Sequence, residues 1–192
     1  MKLRYVTAAA LFTAMTATVA SAEPATYSID PTHTFVSWEA KHFGTSTARG
    51  RFDKKTGSIS IDRAAKTGSA EINIDMKSIS TGVAPFDRHL QSDDFFAAEK
   101  FPEAKFIGSG FKFDGDKVSE VSGTLTLRGK SNPVTIKALS FNCYNHPMLK
   151  REVCGGDFEA TLTRSQFDVS YGLAVGIPDA IRLTIQIEAI KQ

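Results

Sequence analysis

His42, Arg88, Arg128 and the pair Cys143/Cys154 are the residues of this chain whose types and positions are best suited to chemistry. His42 ends the run Val36-Ser37-Trp38-Glu39-Ala40-Lys41-His42. In an extended strand it shares one face with Val36, Trp38 and Ala40. A histidine closing an apolar row can hydrogen-bond the polar end of an otherwise apolar ligand. It can also act as acid–base on an apolar substrate, or satisfy a buried backbone carbonyl, the ordinary fate of a buried imidazole. Arg88 and Arg128, with Lys130 beside the latter, are candidates for an anionic head group because guanidinium offers a two-pronged donor fork. Solvated loop charges are the plainer alternative. His89 and Asp93 stand four apart and can meet on a helix, but two ligands do not make a metal site. A local hydrogen bond is the simpler reading there, and no metal is expected. His33, after Asp30-Pro31, reads as an anchor for the strand that follows. His146, before Pro147, reads as a solvated loop residue. Neither a G-x-S-x-G, a Walker loop, a G-x-G-x-x-G nor an H-E-x-x-H occurs. No catalytic residue is assigned and no cofactor is required.

The start of the chain bears on how the cysteines are read. Lys2 and Arg4 precede an Ala-rich apolar stretch from Tyr5 to Val19, and Ala20-Ser21-Ala22 has the small-x-small form of a cleavage site. Residues 1–22 therefore read as an export signal, with a single domain over 23–192. An uncleaved anchor is the alternative, but the apolar stretch is short for a span of about 20 residues. In an oxidising compartment the two cysteines read as a disulfide at the base of the 144–153 loop. Such a bridge stabilises by about 3 kcal/mol in the chain-entropy view. A reactive pair is the alternative, and C-x-x-C spacing is absent.

The charge balance excludes other partners. The whole chain has 23 Lys+Arg against 21 Asp+Glu, and segment 1–22 contributes two of the bases and no acid, so residues 23–192 are neutral. No basic run interleaved with aromatics is present, which argues against nucleic acid. No polybasic amphipathic helix for a membrane surface is present either, and no stable membrane insertion is expected.

The elements that must position these residues follow from a period of two. Ala70, Ile72, Ile74 and Met76 alternate with Glu71, Asn73 and Asp75. Val134 and Ile136 alternate with Thr135 and Lys137. Phe158, Ala160 and Leu162 alternate with Glu159 and Thr161. Ile181, Leu183, Ile185 and Ile187 close the chain against Arg182, Gln186 and Glu188. Turns are expected at Lys54-Lys55-Thr56-Gly57, at Asp114-Gly115-Asp116 and at Gly129-Lys130-Ser131-Asn132-Pro133. About eight antiparallel strands result, and patterning alone leaves sandwich and closed barrel both open. Helical signal is confined to 85–101. There Ser92 can cap a short helix with Asp93 and Asp94 in its first turn, Lys100 in its last and Pro102 beyond it. Phe86, Leu90, Phe95, Phe96 and Phe101 require this segment to pack on one end of the sheet, as a fixed plug or as a lid.

The order of motifs is informative where single motifs are not. The chain runs D-P-T-H-T-x-V-x-W-x-x-K-H-x-G, G-R-F, I-D-M-K-S-I-S-T, H-L-x-S-x-D-F-F, F-P-x-A-x-F, G-T-L-T-L-R-G-K-x-x-P-V and T-R-S-Q-F. Across residues 23–192 this resembles the YceI family. The resemblance implies an all-β fold, an eight-stranded antiparallel lipocalin-like barrel with a short helical lid segment. It also implies an elongated apolar tunnel for a polyisoprenoid lipid, an isoprenoid quinone or a prenyl phosphate, and a periplasmic location. Ser165-Gln166-Phe167-Asp168-Val169 departs from the family's usual run, and many members lack the two cysteines.

With a barrel, the alternation names the wall. The expected lining is Val36, Trp38, Ala40, His42, Ile72, Ile74, Met76, Phe86, Leu90, Phe95, Phe96, Phe106, Leu125, Leu127, Val134, Ile136, Phe158, Leu162, Leu183 and Ile185. A tail covering about 500 Å² of such a wall gains roughly 12 kcal/mol gross at 25 cal/mol per Å². Ordering the tail takes back a large share. The expected function is a non-enzymatic carrier that stores, shields or ferries this ligand. The alternatives are an enzyme using His42 as acid–base in the same cavity, and a filled, lipid-free interaction barrel acting in envelope stress. A homodimer is left open.

Overall fold

The computed structural model describes residues 24–192. The export-signal segment read at 1–22 lies outside them. Alternation becomes strands β1 Ala25–Ile29, β2 Phe35–His42, β3 Ser46–Phe52, β4 Lys55–Asp62, β5 Thr67–Asp75, β6 Ile79–Ser80, β7 Glu103–Asp114, β8 Lys117–Leu127, β9 Lys130–Ala138, β10 Asn142–Asn145, β11 Glu152–Thr163 and β12 Ala180–Lys191, with one α-helix, α1 Ala84–Gln91.

Three of the runs are broken in the middle. β1 and β2 are two halves of one run along β12, with Ile29 opposite Ala189 and Val36 opposite Ile185. Between them Asp30 gathers the backbone and hydroxyl of Thr32 and, at 2.7 Å, Nδ1 of His33. His33 thus anchors the strand start. β3 and β4 break at Asp53-Lys54, pairing with β2 and β1 in turn. β5 and β6 are separated by a single 3-10 turn, Met76–Ser78, capped by Asp75 on Lys77 N at 2.9 Å.

Counting each broken run once, and taking β10 with β9 because both pair along β11, gives eight antiparallel runs in sequence order, closed by β12 returning to the first. This is a closed eight-stranded barrel with one helix. The seam is uneven. β11 and β12 pair from Thr163/Ala180 to Val153/Ile190, but β9 meets β11 only at Phe158/Ala138 and Glu159/Lys137. Beyond that point β10 takes the edge of β11 and sets Cys143 directly opposite Cys154, where the two form a disulfide. The bridge therefore holds the strand pair that covers the weak seam. Replacing both cysteines with serine should lower stability by about 3 kcal/mol, read as a drop in the urea midpoint. An unchanged midpoint would mean the pairing holds the seam unaided.

Three local expectations are corrected. The helix lies before Ser92, not after it: Pro85 sits in its first turn, and Ser92 receives the end, N–H to His89 O at 3.1 Å. Proline's fixed φ suits the first helical turn, and Phe86 and Leu90, four apart, form its packing face. The residues from Ser92 onward make successive turns instead. The break near residue 54 comes at Asp53-Lys54, so Gly57 lies within β4 opposite Ile72. The turn before β9 is Arg128-Gly129, both left-handed with φ of 49° and 72°, so Pro133 lies inside the strand opposite Thr124.

Candidate functional site

The inward rows do not meet at the barrel axis. They enclose two apolar chambers placed end to end. The first, of about 130 Å³, lies toward the chain termini and is lined by β1, β2, β4, β5, β7, β8, β9, β11 and β12. The second, of about 320 Å³, lies toward α1. Both are bounded by Val36, Ile74, Leu125 and Leu183, from four different strands, which form a waist between them. No acidic side chain lines either chamber.

All twenty residues expected on the wall line these chambers. Ile72, Phe106, Val134, Ile136, Phe158 and Ile185 line the first alone. Trp38, Ala40, His42, Met76, Phe86, Leu90, Phe95, Phe96, Leu127 and Leu162 line the second alone. The waist accounts for the rest.

A buried tyrosine stands at the far end of the first chamber. Tyr27, 2 % exposed, lines it and donates its hydroxyl to Glu152 at 2.5 Å, while Arg63 holds the other carboxylate oxygen at 2.7 Å. Burial, and next the Glu152 carboxylate, push the Tyr27 phenol up to about 12. Cys154 of the disulfide borders the same chamber.

The second chamber is floored by aromatics of the 85–101 segment. Phe86 meets Trp38 edge-on at 6.4 Å and Phe96 meets Phe52 at 5.9 Å. His89 packs between Phe95 at 5.0 Å and Tyr171 at 4.9 Å, and its Nε2 pairs with Asp94 at 2.9 Å. Arg128 does not reach either chamber. Its guanidinium donates to the carbonyls of Phe95 and, at 2.9 Å, Asp93, which ties this segment to the β8–β9 turn. Arg88 is exposed on α1 and lines neither chamber. His42 is exposed at the mouth, its ring edge-on to Phe43 at 4.7 Å. His146 accepts the N–H groups of Met148 and Leu149 at 3.2 Å, closing its own hairpin tip.

Sequence reasoning missed Arg164. It is 6 % exposed, borders the second chamber, and donates to four backbone carbonyls: Pro178 at 2.9 Å, Val169 at 2.9 Å, Tyr171 at 2.8 Å and Ile177 at 3.4 Å. Burial lowers its pKa, and the charge of Asp179 offsets part of this. Its position continues the inward row Phe158, Ala160, Leu162, and a cation falling on that row is the signal that could have marked it.

Trp38 owes its place to Gly50, its cross-strand partner. A Cβ at residue 50 would lie 2.7 Å from the indole, so only glycine lets the ring lie flat against β3. Gly50→Val should displace the ring into the chamber and destabilise by about 1–3 kcal/mol. Trp38 is the sole tryptophan, so its emission reports the shift directly. An unchanged emission spectrum would show that the neighbouring strand yields instead.

The fold and its interior define a closed up-and-down barrel with an apolar, two-chambered interior. The chain belongs to the YceI family: residues 27–189 match the family model described as YceI-like domain. A UPF0312 protein of Pseudomonas putida is 35 % identical over 172 residues, covering 88 % of each chain. The Campylobacter jejuni YCEI protein superposes with a TM-score of 0.66 at 25 % identity, over 79 % of this chain and 90 % of that one. A polyisoprenoid binding domain from Saccharophagus degradans, implicated in plant cell wall breakdown, matches in fold, with a TM-score of 0.62 at 18 % identity over 86 % of this chain and 98 % of that one.

Proposed function

We propose that this protein is an exported, periplasmic carrier that holds one long apolar lipid of the isoprenoid type, a quinone or a prenyl phosphate, for storage, transport or protection. The observation that carries this reading is the pair of in-line chambers with a common waist and a wall free of acidic groups. Such a shape suits a long linear ligand better than a compact one. The second chamber alone is within the usual range of small-molecule sites. The solved Saccharophagus degradans relative, described as a polyisoprenoid binding domain, supports the ligand class. The tail lies along the chambers and the head group stays at the mouth, near His42. Arg88 is the remaining candidate there, since Arg128 is engaged with the 93–95 carbonyls. No metal or other cofactor is needed for this role.

The test uses Trp38, whose ring borders the second chamber. Adding an isoprenoid quinone to the delipidated protein should quench its emission saturably at one ligand per chain. Absence of quenching, together with failure to take up a prenyl phosphate, would put the filled interaction barrel first. Turnover of either lipid, lost on His42→Ala, would favour the enzyme.

A further inference from the structure

Arg164 is the only buried arginine among the described residues. It stands one position past the end of β11, on the inward row of Phe158, Ala160 and Leu162, and borders the second chamber. Its backbone N–H donates to Asp179 O at 3.0 Å, one step beyond the last ladder pair, Thr163 and Ala180. β2, antiparallel to β12, brings His42 to the same end of that chamber.

The guanidinium is held there but not neutralised. Its bonds all go to carbonyl oxygens, which supply dipoles and no net charge. A buried charge is costly unless it is paired. Asp179 offsets part of the charge, but its two oxygens are taken by Ser165, at 2.8 Å to the N–H and 2.6 Å to the hydroxyl. A guanidinium has five N–H donors. Nε spends one, Nη1 two and Nη2 one, so one N–H of Nη2 is left over. The bond that Nη2 does make, to Ile177 O, is the longest of the set at 3.4 Å.

The rest of the chamber wall offers no counter-charge. Its other polar side chains are Trp38, Lys41, His42, His89 and Tyr171. Asp87, Asp94 and Asp168 on neighbouring segments balance the exposed cations of the rim, but none of them borders the chamber. A buried cation with a spare donor, beside an otherwise apolar cavity, is an environment that an anionic oxygen completes.

We infer that Arg164 seats the head group of the lipid and that this head group is anionic, an oxygen of its phosphate taking the remaining Nη2 donor. The chamber then selects a prenyl phosphate over a neutral quinone or alcohol with the same tail. The bonds to the loop carbonyls are kept, so one side chain both holds the 164–179 loop and reads the ligand. The inference rests on the carrier reading and narrows its ligand.

The test is a competition for a limiting amount of the delipidated protein between geranylgeranyl phosphate and geranylgeraniol, which share one tail. The retained lipids are extracted and their ratio is measured by mass spectrometry. The phosphate should be favoured about ten-fold. Because Arg164 is buried, most of that preference should survive about 0.5 M salt. Excess inorganic phosphate should leave the ratio unchanged. Arg164→Gln should bring the ratio near one, and the ratio reads head-group recognition whatever the total amount retained. Asp179→Asn keeps Arg164 and removes the partial offset, so it should raise the ratio about three-fold. This variant decides the matter if Arg164→Gln holds no lipid.

Equal retention of the two lipids by the parent protein overturns the inference and leaves the carrier standing. So does a preference lost in salt, which would place recognition on the exposed Lys41 and Arg88, or one abolished by inorganic phosphate, which would make the site one for a free anion. A ratio unmoved by Arg164→Gln, or by Asp179→Asn where the first variant is empty, overturns it equally. Retention of neither lipid by the parent protein rejects the carrier reading, and the inference with it.

Discussion

Leu183→Trp should abolish retention of long isoprenoid tails while a short-tailed quinone still binds. Leu183 stands in the waist with Val36, Ile74 and Leu125, and its β2 partner is Trp38. A second indole at this level fills the passage between the chambers and confines any ligand to the one beneath. A long tail that loses about 150 Å² of wall forfeits roughly 4 kcal/mol at 25 cal/mol per Å². After the smaller ordering cost of the shortened contact, this leaves a loss of about a hundred-fold in affinity. Overpacking itself costs about 1–3 kcal/mol of stability, so Ile74→Phe, a smaller insertion at the same level, serves as a second variant. Competition between short- and long-tailed quinones, read by extracting and identifying the retained ligand, separates the cases. Equal loss for both lengths would mean that the substitution acts through folding. Equal retention would mean that the tail does not pass the waist.

Arg164→Met should unfold the mouth locally. The guanidinium is the common donor for carbonyls at Val169, Tyr171, Ile177 and Pro178, so it holds a loop of low secondary-structure content as a single unit. Methionine fills similar volume but leaves these carbonyls unpaired. An unsatisfied buried polar group costs about 1–3 kcal/mol, and relaxation toward water reduces the total, so a loss of about 3 kcal/mol is expected. Lysine should not restore it, because an ammonium is a point donor and cannot span a fork of carbonyls. Hydrogen exchange should show protection lost across 164–179 and kept in β11 and β12. Protection unchanged throughout would show that the Ser165–Asp179 bonds, at 2.6 and 2.8 Å, suffice to close the loop.

The inward-facing rows were legible because they depend on parity alone. Once a strand is extended, Val36, Trp38 and Ala40 share a face whatever their neighbours do, and the same holds for Phe158, Ala160 and Leu162. The strand breaks were not legible, since they are made by long-range pairing. β1 and β2 look separate in sequence and become one run only against β12. The helix was misplaced because Ser92 suits either end of a short helix, and the side was decided by Pro85 together with Phe86 and Leu90 packing on the barrel. Arg128 looked like a free cation because its partners, the carbonyls of Asp93 and Phe95, lie more than thirty residues away in sequence. The pairing of the two cysteines followed from their number, and the structure adds its location at the weak seam beside the first chamber.

The central claim is that the two chambers together hold one long lipid. Native mass spectrometry of the protein purified from its own source, with the bound material extracted and identified, tests it most directly. The account predicts one isoprenoid lipid per chain, released on delipidation and taken up again when supplied. A protein recovered empty, which then refuses both an isoprenoid quinone and a prenyl phosphate, would contradict it.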